Sequence, residues 1–298
     1  MLIEEEKAST SEEKSNEQKP PADSPTDTSN GLPADTSKDE AWPLLNAKDH
    51  DEKFDPMQYL QDFYVSAKED GAMQVVLFFL PGILYRIPQQ IEDVLDLGAG
   101  PTIYIPIAMR NRVSNFYTSD YSLANRKVLT SWIKNECSFD WTTVCEWIRC
   151  LESSHDTAEH MQEVARAKMR AVLDVNVHKT PVVQSIHYKV DEKKEVPKQF
   201  DVVTTVFCLE YSSETLDEYK TAVKNASSLV KTGGFLMQGG VMNETEYGFG
   251  GKRFKCHCLT REHLLDTLKE SGFSTEPGLQ SFHLICQDDI FLLISKKL

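Results

Sequence analysis

Apolar residues along this chain change their spacing as it proceeds, and the changes predict its elements. "FDPMQYLQDFYVSA", from residue 54, clusters Tyr59, Leu60, Phe63 and Tyr64 on one broad helical face, with Pro56 near the helix start. A second apolar helix is expected from about Met73 to Leu80. From Ile91 the rhythm shortens: "IEDVLDL", "NFYTSD", "RAVLDV" and "FDVVTTVFC" are runs rich in β-branched and aromatic residues, and the first three reach an aspartate near the end. Longer helix-compatible stretches, "SLANRKVLTSWIKNE" and "ETLDEYKTAVKNASSLVK", lie between them. Strand and helix alternation of this kind predicts an α/β fold, a parallel sheet covered on both faces. The helix running to Lys231 is expected to stop at "KTGG", capped by Gly233-Gly234, before the strand "FLMQGG". "GLQSFHLICQ" and "DIFLLISKK", joined at Asp288-Asp289, are too close for a crossover and so predict an antiparallel pair.

Composition divides the chain. Residues 1–40 hold eleven acids against four lysines and no aromatic residue, valine or cysteine, about half of the formal −14 charge. Such a stretch buries too little apolar surface to offset its ordering entropy, so residues 1–53 are expected to form a disordered acidic tail and 54–298 the folded domain. Within that domain, 54–90 reads as a helical cap, and 131–168, with Trp132, Trp141 and Trp147, as a helical insertion or lid over the sheet. An acidic chain without a basic run offers nucleic acid no docking surface. Seven scattered cysteines without a CxxC pair suit reduced thiols and a cytoplasmic setting; Cys256-His257-Cys258 lacks the second ligand pair a metal needs. The most apolar run is broken by Pro81-Gly82 and is too short to span a membrane, and the amino terminus lacks a signal peptide's basic and apolar regions.

The chemistry gathers around "LDLGAGPTIY", residues 95–104. In open parallel sheets a ligand sits outside the carboxyl ends of the strands, where Gly98 and Gly100 would let the backbone approach it, with Pro101 at the start of the next helix. A dinucleotide fingerprint would place a third glycine where this chain has Ile103, which argues against a pyrophosphate and against a nicotinamide-dinucleotide dehydrogenase. Asp120, about twenty residues on, is placed for ribose hydroxyls, Asp174 for an adenine amino group, and Asp96 for the backbone or a cationic group near the turn. An acid-rich, base-poor rim suits a phosphate-free nucleoside with a cationic end, and S-adenosylmethionine is such a molecule.

The same turn, with "FDPMQYLQDFY", "SDYSLANRKVLTSWIKNE", "FDWTTV", "FCLE" and "LVKTGGFL" in order over residues 54–298, resembles the nicotinamide, phenylethanolamine and thioether (indolethylamine) N-methyltransferase family. The resemblance implies a class I methyltransferase sheet, Rossmann-like, seven-stranded and mostly parallel with an antiparallel last strand, in a monomer that uses S-adenosylmethionine. It further implies that Tyr59 and Tyr64 close over the cofactor, and that Gly98, Gly100, Thr102 and Tyr104 meet its amino-acid end. Asp120, Tyr121 and Asn125 match the ribose and adenine site, Asp174 and Val175 the adenine edge, and Val206 a backbone contact to the methionine part.

Methyl transfer from a sulfonium is an in-line displacement, accelerated chiefly by holding the acceptor's lone pair against the methyl carbon. An aromatic wall favours the sulfonium, and Tyr59, Phe63, Tyr64 and Phe207 are candidates. A carboxylate further out can orient the amine or deprotonate an alkylammonium. By resemblance Glu210 is the first choice for that anchor, Glu244 a second, and Tyr247 lines the pocket. Nicotinamide is the leading substrate among small amines, although Gly240 stands where the nicotinamide-type enzymes carry an aspartate. A phenylethanolamine-like or other arylalkylamine is the alternative, supported by Gly240 and Glu244, and a cofactor-binding scaffold without turnover is the alternative of another class. Pro106 is a further departure, expected to kink or end its helix early.

Overall fold

The computed structural model describes residues 42–65 and 71–298. In chain order the elements are β1 (Leu44–Leu45), a 3-10 turn (Ala47–Asp49), α1 (His50–Lys53), α2 (Pro56–Tyr64), α3 (Gly71–Leu84), β2 (Ile91–Leu97), α4 (Tyr104–Met109) and β3 (Val113–Asp120). There follow α5 (Leu123–Ile133), α6 (Thr142–Glu152), α7 (Ala158–Lys168), β4 (Met169–Val175), β5 (Val183–Lys189), β6 (Phe200–Val206), α8 (Leu216–Ser228) and β7 (Val230–Val241). The chain ends with β8 (Glu246–Phe249), β9 (Lys252–Lys255), α9 (Arg261–Glu270), β10 (Phe282–Gln287) and β11 (Ile290–Lys296).

Eight strands form the main sheet in the order β10-β11-β7-β6-β2-β3-β4-β5. The five from β7 to β4 run parallel, and β11 is antiparallel to both its neighbours. This is the seven-stranded arrangement expected, extended at the far edge by β5, which pairs antiparallel to β4. The sequence of β5, "VQSIHYK", carries little apolar signal because an edge strand faces water along most of its length. Strand order reverses between β2 and β6, so the crevice for a ligand opens above the adjacent ends of those two strands.

Local chemistry explains most boundaries. Asp55 caps α2 by accepting from the amides of Met57 and Gln58, with Pro56 at the first helical turn where its missing N–H costs nothing. Thr215 and Glu218 close a reciprocal capping box on α8. Three expectations need correcting here. The "KTGG" stretch does not cap α8, which ends at Ser228; it forms a bulge in β7, where the six residues from Val230 to Phe235 pass the three from Phe200 to Val202 of β6. Gly233 takes φ +80°, and a Cβ on Gly234 would meet the Asp201 carbonyl at 2.7 Å, so both glycines serve the bulge. Pro101 lies in the turn and the helix starts at Tyr104; this puts Pro106 in the first turn of α4, where proline is tolerated without a kink.

The third correction concerns the insertion. Trp132 and Trp141 are 2% exposed, inside the core on the face covered by α3, α4, α6 and α7. Burying such side chains contributes roughly 2–3 kcal/mol each, and α6 and α7 pack on α4 rather than over the crevice. A second core, with α8 and α9, covers the other face.

The expected tail also ends earlier than residue 53. Residues 1–41 lie outside the described residues, but the twelve that follow form β1, the 3-10 turn and α1. β1 pairs parallel with β9, whose hairpin with β8 turns on Gly250 and Gly251, both at positive φ. Backbone pairing with a distant hairpin organises a segment that has no core of its own.

Candidate active site

Above the β2/β6 reversal lies a cavity of about 380 Å³, lined from three sides. The sheet side is built by hydrogen bonds. Gly98 and Gly100 take φ +71° and +61°, and a Cβ on Gly98 would stand 2.1 Å from the Cys208 sulfur, so only glycine fits between the ends of β2 and β6. Thr102 donates to the Ala99 carbonyl at 2.8 Å and closes the turn. At the tip of β3, Asp120 accepts from the amides of Gly100 (2.8 Å) and Ser122 (2.8 Å) and from the Asn125 side chain (3.0 Å). A carboxylate offers about four accepting positions, so about one remains toward the cavity. Burial pushes the Asp120 carboxyl above its ordinary range, opposed by those three bonds. Asp96 sits behind the turn, 3% exposed and bonded by the Thr204 hydroxyl at 2.7 Å; burial raises its carboxyl to about 7.

The opposite side is aromatic. Tyr59 and Tyr64 of α2 line the cavity with Tyr104, Phe207, Tyr211 and Tyr247. Tyr211 and Tyr247 stack with ring centroids 3.9 Å apart and planes 10° off parallel, Tyr211 stacks on Phe207, and Tyr247 on His50. Phe207 holds φ +53°, an uncommon conformation for a bulky residue, fixed by its amide bonding the Gly239 carbonyl at 3.0 Å.

The third side is the segment preceding α2. Ala47, Lys48, His50 and Phe54 line the cavity, held there by the Ala47 amide on Glu214 (2.9 Å), Lys255 on Asn46 (3.1 Å) and Arg253 on the Pro43 carbonyl.

Most residues singled out from sequence meet in this cavity: Tyr59, Tyr64, Gly98, Gly100, Thr102, Tyr104, Asp120, Tyr121, Asn125, Val175, Val206 and Tyr247. Four do not. Asp174 is turned to an ion pair with Arg126 at 3.0 Å and accepts from Ser185, and Val175, Asn176 and Val177 line the cavity at this strand end. Phe63 packs behind Tyr59 and against Phe249. Glu244 is exposed on the loop before β8. Glu210 is fully buried behind the cavity wall, its carboxyl filling the space over Gly240, where an added Cβ would stand 2.3 Å from Oε1. It accepts weakly from the Val241 amide at 3.3 Å, Oε2 has no partner among the described residues, and burial raises its carboxyl to about 8.

Sequence reasoning missed Tyr211, His178, Glu214, Glu218 and the whole contribution of residues 47–50. Tyr211, next to Glu210 in "FCLEY", had a signal in its proximity to the end of β6. His50 had none, because its segment reads as tail.

Comparison with known proteins follows the same outline. The model of the NNMT/PNMT/TEMT family matches residues 42–298, beginning where the described structure begins. A nicotinamide N-methyltransferase of Caenorhabditis elegans is 56% identical over 252 residues, 85% of this chain and 92% of that one. One of Sus scrofa is 27% identical, covering 82% and 93%, and an indolethylamine N-methyltransferase of Oryctolagus cuniculus is 28% identical, covering 78% and 87%.

Proposed function

The chain belongs to the NNMT/PNMT/TEMT family, and from that premise we propose that it methylates a planar, neutral aromatic nitrogen, with nicotinamide the substrate. It is an S-adenosylmethionine-dependent N-methyltransferase. When bound, the cofactor supplies an electrophilic methyl group on a sulfonium. In the proposal Gly98 and Gly100 give its amino-acid end close backbone approach, Asp120 accepts from a ribose hydroxyl, and Val175 and Asn176 border the adenine. Tyr59 and Tyr64 exclude water from the reacting atoms, and Tyr211 and Tyr247 hold a flat acceptor by stacking.

One observation carries the choice of acceptor: every carboxylate bordering the cavity is already engaged. Asp120 receives three N–H bonds; Glu214 receives the Ala47 amide and faces Lys255; Glu218 accepts from the Glu214 and Thr215 amides. An alkylammonium needs a free carboxylate to anchor it and take its proton, whereas a pyridine nitrogen is neutral and attacks directly. This supports nicotinamide over a phenylethanolamine, for which Glu210 is the first-choice anchor by resemblance and Glu244 the second: Glu210 lies behind the wall and Glu244 is exposed outside the cavity lining. A panel assay with radiolabelled cofactor tests the reading. Nicotinamide is expected to exceed phenylethanolamines and indolethylamines by at least about tenfold in kcat/KM; an alkylamine preference rejects the acceptor, and no turnover on any amine rejects catalysis.

A further inference from the structure

The Tyr247 phenol, stacked in the acceptor end of the cavity, shares its hydroxyl with the His50 ring Nε2, and the direction of that hydrogen bond follows from the other ring nitrogen. His50 Nδ1 bonds the Ala47 carbonyl, an oxygen that can only accept, so Nδ1 carries a hydrogen. Burial pushes the His50 imidazole below its ordinary range, opposed by the Ala47 bond and by Asp49, so the ring is neutral near pH 7 and Nε2 is a bare lone pair. Tyr247 must therefore donate to His50. Its oxygen then presents lone pairs and no hydrogen to the cavity. A phenol free to donate would hydrogen-bond the nucleophilic nitrogen of a bound heterocycle and occupy the lone pair needed for attack; His50 removes that possibility.

We propose that His50 is a specificity-determining residue: by holding the Tyr247 hydroxyl hydrogen it makes the phenol oxygen an acceptor toward the cavity, selecting acceptors that carry an N–H donor beside a neutral nucleophilic nitrogen. The inference rests on the functional reading above. It assigns a chemical task to residues 47–50, which reach Tyr247 across 197 positions of sequence and are seated by β1 on β9 and by Glu214 on Ala47. Stacking of His50 on Phe254, with centroids 4.3 Å apart, fixes the ring plane so that both nitrogens reach their partners.

The test compares kcat/KM for nicotinamide with that for methyl nicotinate, which keeps the ring nitrogen and loses the N–H, in the native protein, His50→Phe, Tyr247→Phe, the double variant and His50→Gln. Phenylalanine keeps the stacking and drops the acceptor; glutamine keeps an acceptor near the Nε2 position. The native protein is expected to favour the amide by roughly tenfold or more, the size of one buried hydrogen bond. His50→Phe, Tyr247→Phe and the double variant are each expected to reduce that ratio to the same value, below about threefold, while His50→Gln stays within about twofold of native. A ratio unmoved by His50→Phe, or a loss that persists in the Tyr247→Phe background, overturns the proposal. Should the native protein turn over neither compound, the functional reading falls instead, and the same cycle in urea unfolding decides the pair: additive losses overturn it, coupled losses support it.

Discussion

The two ends of the cavity are built by different means. At the proposed cofactor end, a turn and the strand tip twenty residues later are tied by three N–H bonds onto one carboxylate, all from residues 98–125. At the proposed acceptor end, rings from positions 50, 207, 211 and 247 meet by stacking: Phe207 and Tyr211 share the turn after β6, while His50 of α1 and Tyr247 of β8 come from distant parts of the sequence. The first end is directional and local; the second is shaped by area and drawn from distant parts of the sequence. Each is backed by a buried acid, and the acids differ in the same way: Asp96 has the Thr204 hydroxyl at 2.7 Å, whereas Glu210 leaves an oxygen unpartnered.

That last contrast gives the largest expected effect. Glu210 has its carboxyl raised from an ordinary 4.5 to about 8, so between those values the folded chain holds a proton that the unfolded chain has released. Its contribution to stability is complete below about 4.5 and is lost as pH rises through about 8, at roughly 1.4 kcal/mol per pH unit where steepest. Asp96 acts likewise, but only up to about 7. In urea denaturation at pH 6 and pH 8.5, the native protein should therefore lose about 2–3 kcal/mol more than Glu210→Gln does. Equal losses would mean that Glu210 reaches water, and the contrast between the two acids would fail.

Next in size is Asp120→Ala. Removing a carboxylate that holds three donors and lies at the proposed ribose site is expected to weaken S-adenosylhomocysteine by roughly 100-fold in calorimetry. Tyr211→Ala should leave that affinity within about threefold and instead raise the nicotinamide KM roughly tenfold, since it removes one face of a stacked pair. If Tyr211→Ala weakened the cofactor product as much as Asp120→Ala, the cavity would be one site without two separately built ends.

The same division explains what could be read from the chain beforehand. The parallel sheet, the glycine turn and Asp120 follow from periodicity and from spacing within one β-turn-β unit, where residues near in sequence are near in space. For Asp174 the position at a strand tip is legible and the direction of its side chain is not: Arg126, one turn into α5, draws it into an ion pair. Glu210 is an anchor by resemblance alone, but the missing Cβ at Gly240 opens room behind the wall, and the carboxyl fills it. His50 was invisible because local composition says tail, and only pairing of β1 with β9, some 200 residues distant, gives it a place.

The smallest effect is the most pointed, because it concerns a residue chosen for the acceptor end on alignment alone. Glu244 is exposed in the turn between β7 and β8, beside Asn243, whose positive φ and bond to Asp289 at 2.8 Å direct that turn outward. Among the described residues its backbone carbonyl accepts from the Cys256 thiol, and a side-chain change leaves that carbonyl in place. Glu244→Gln is therefore expected to keep kcat/KM for nicotinamide within about twofold of native, the range of a surface substitution away from such features. A fall of tenfold or more, confined to KM, would bring this carboxylate into the cavity during binding and restore a directional contact to the aromatic end. In that case the acceptor end too would be built on hydrogen bonds, and the distinction drawn between the two ends would hold only for the chain without its substrate.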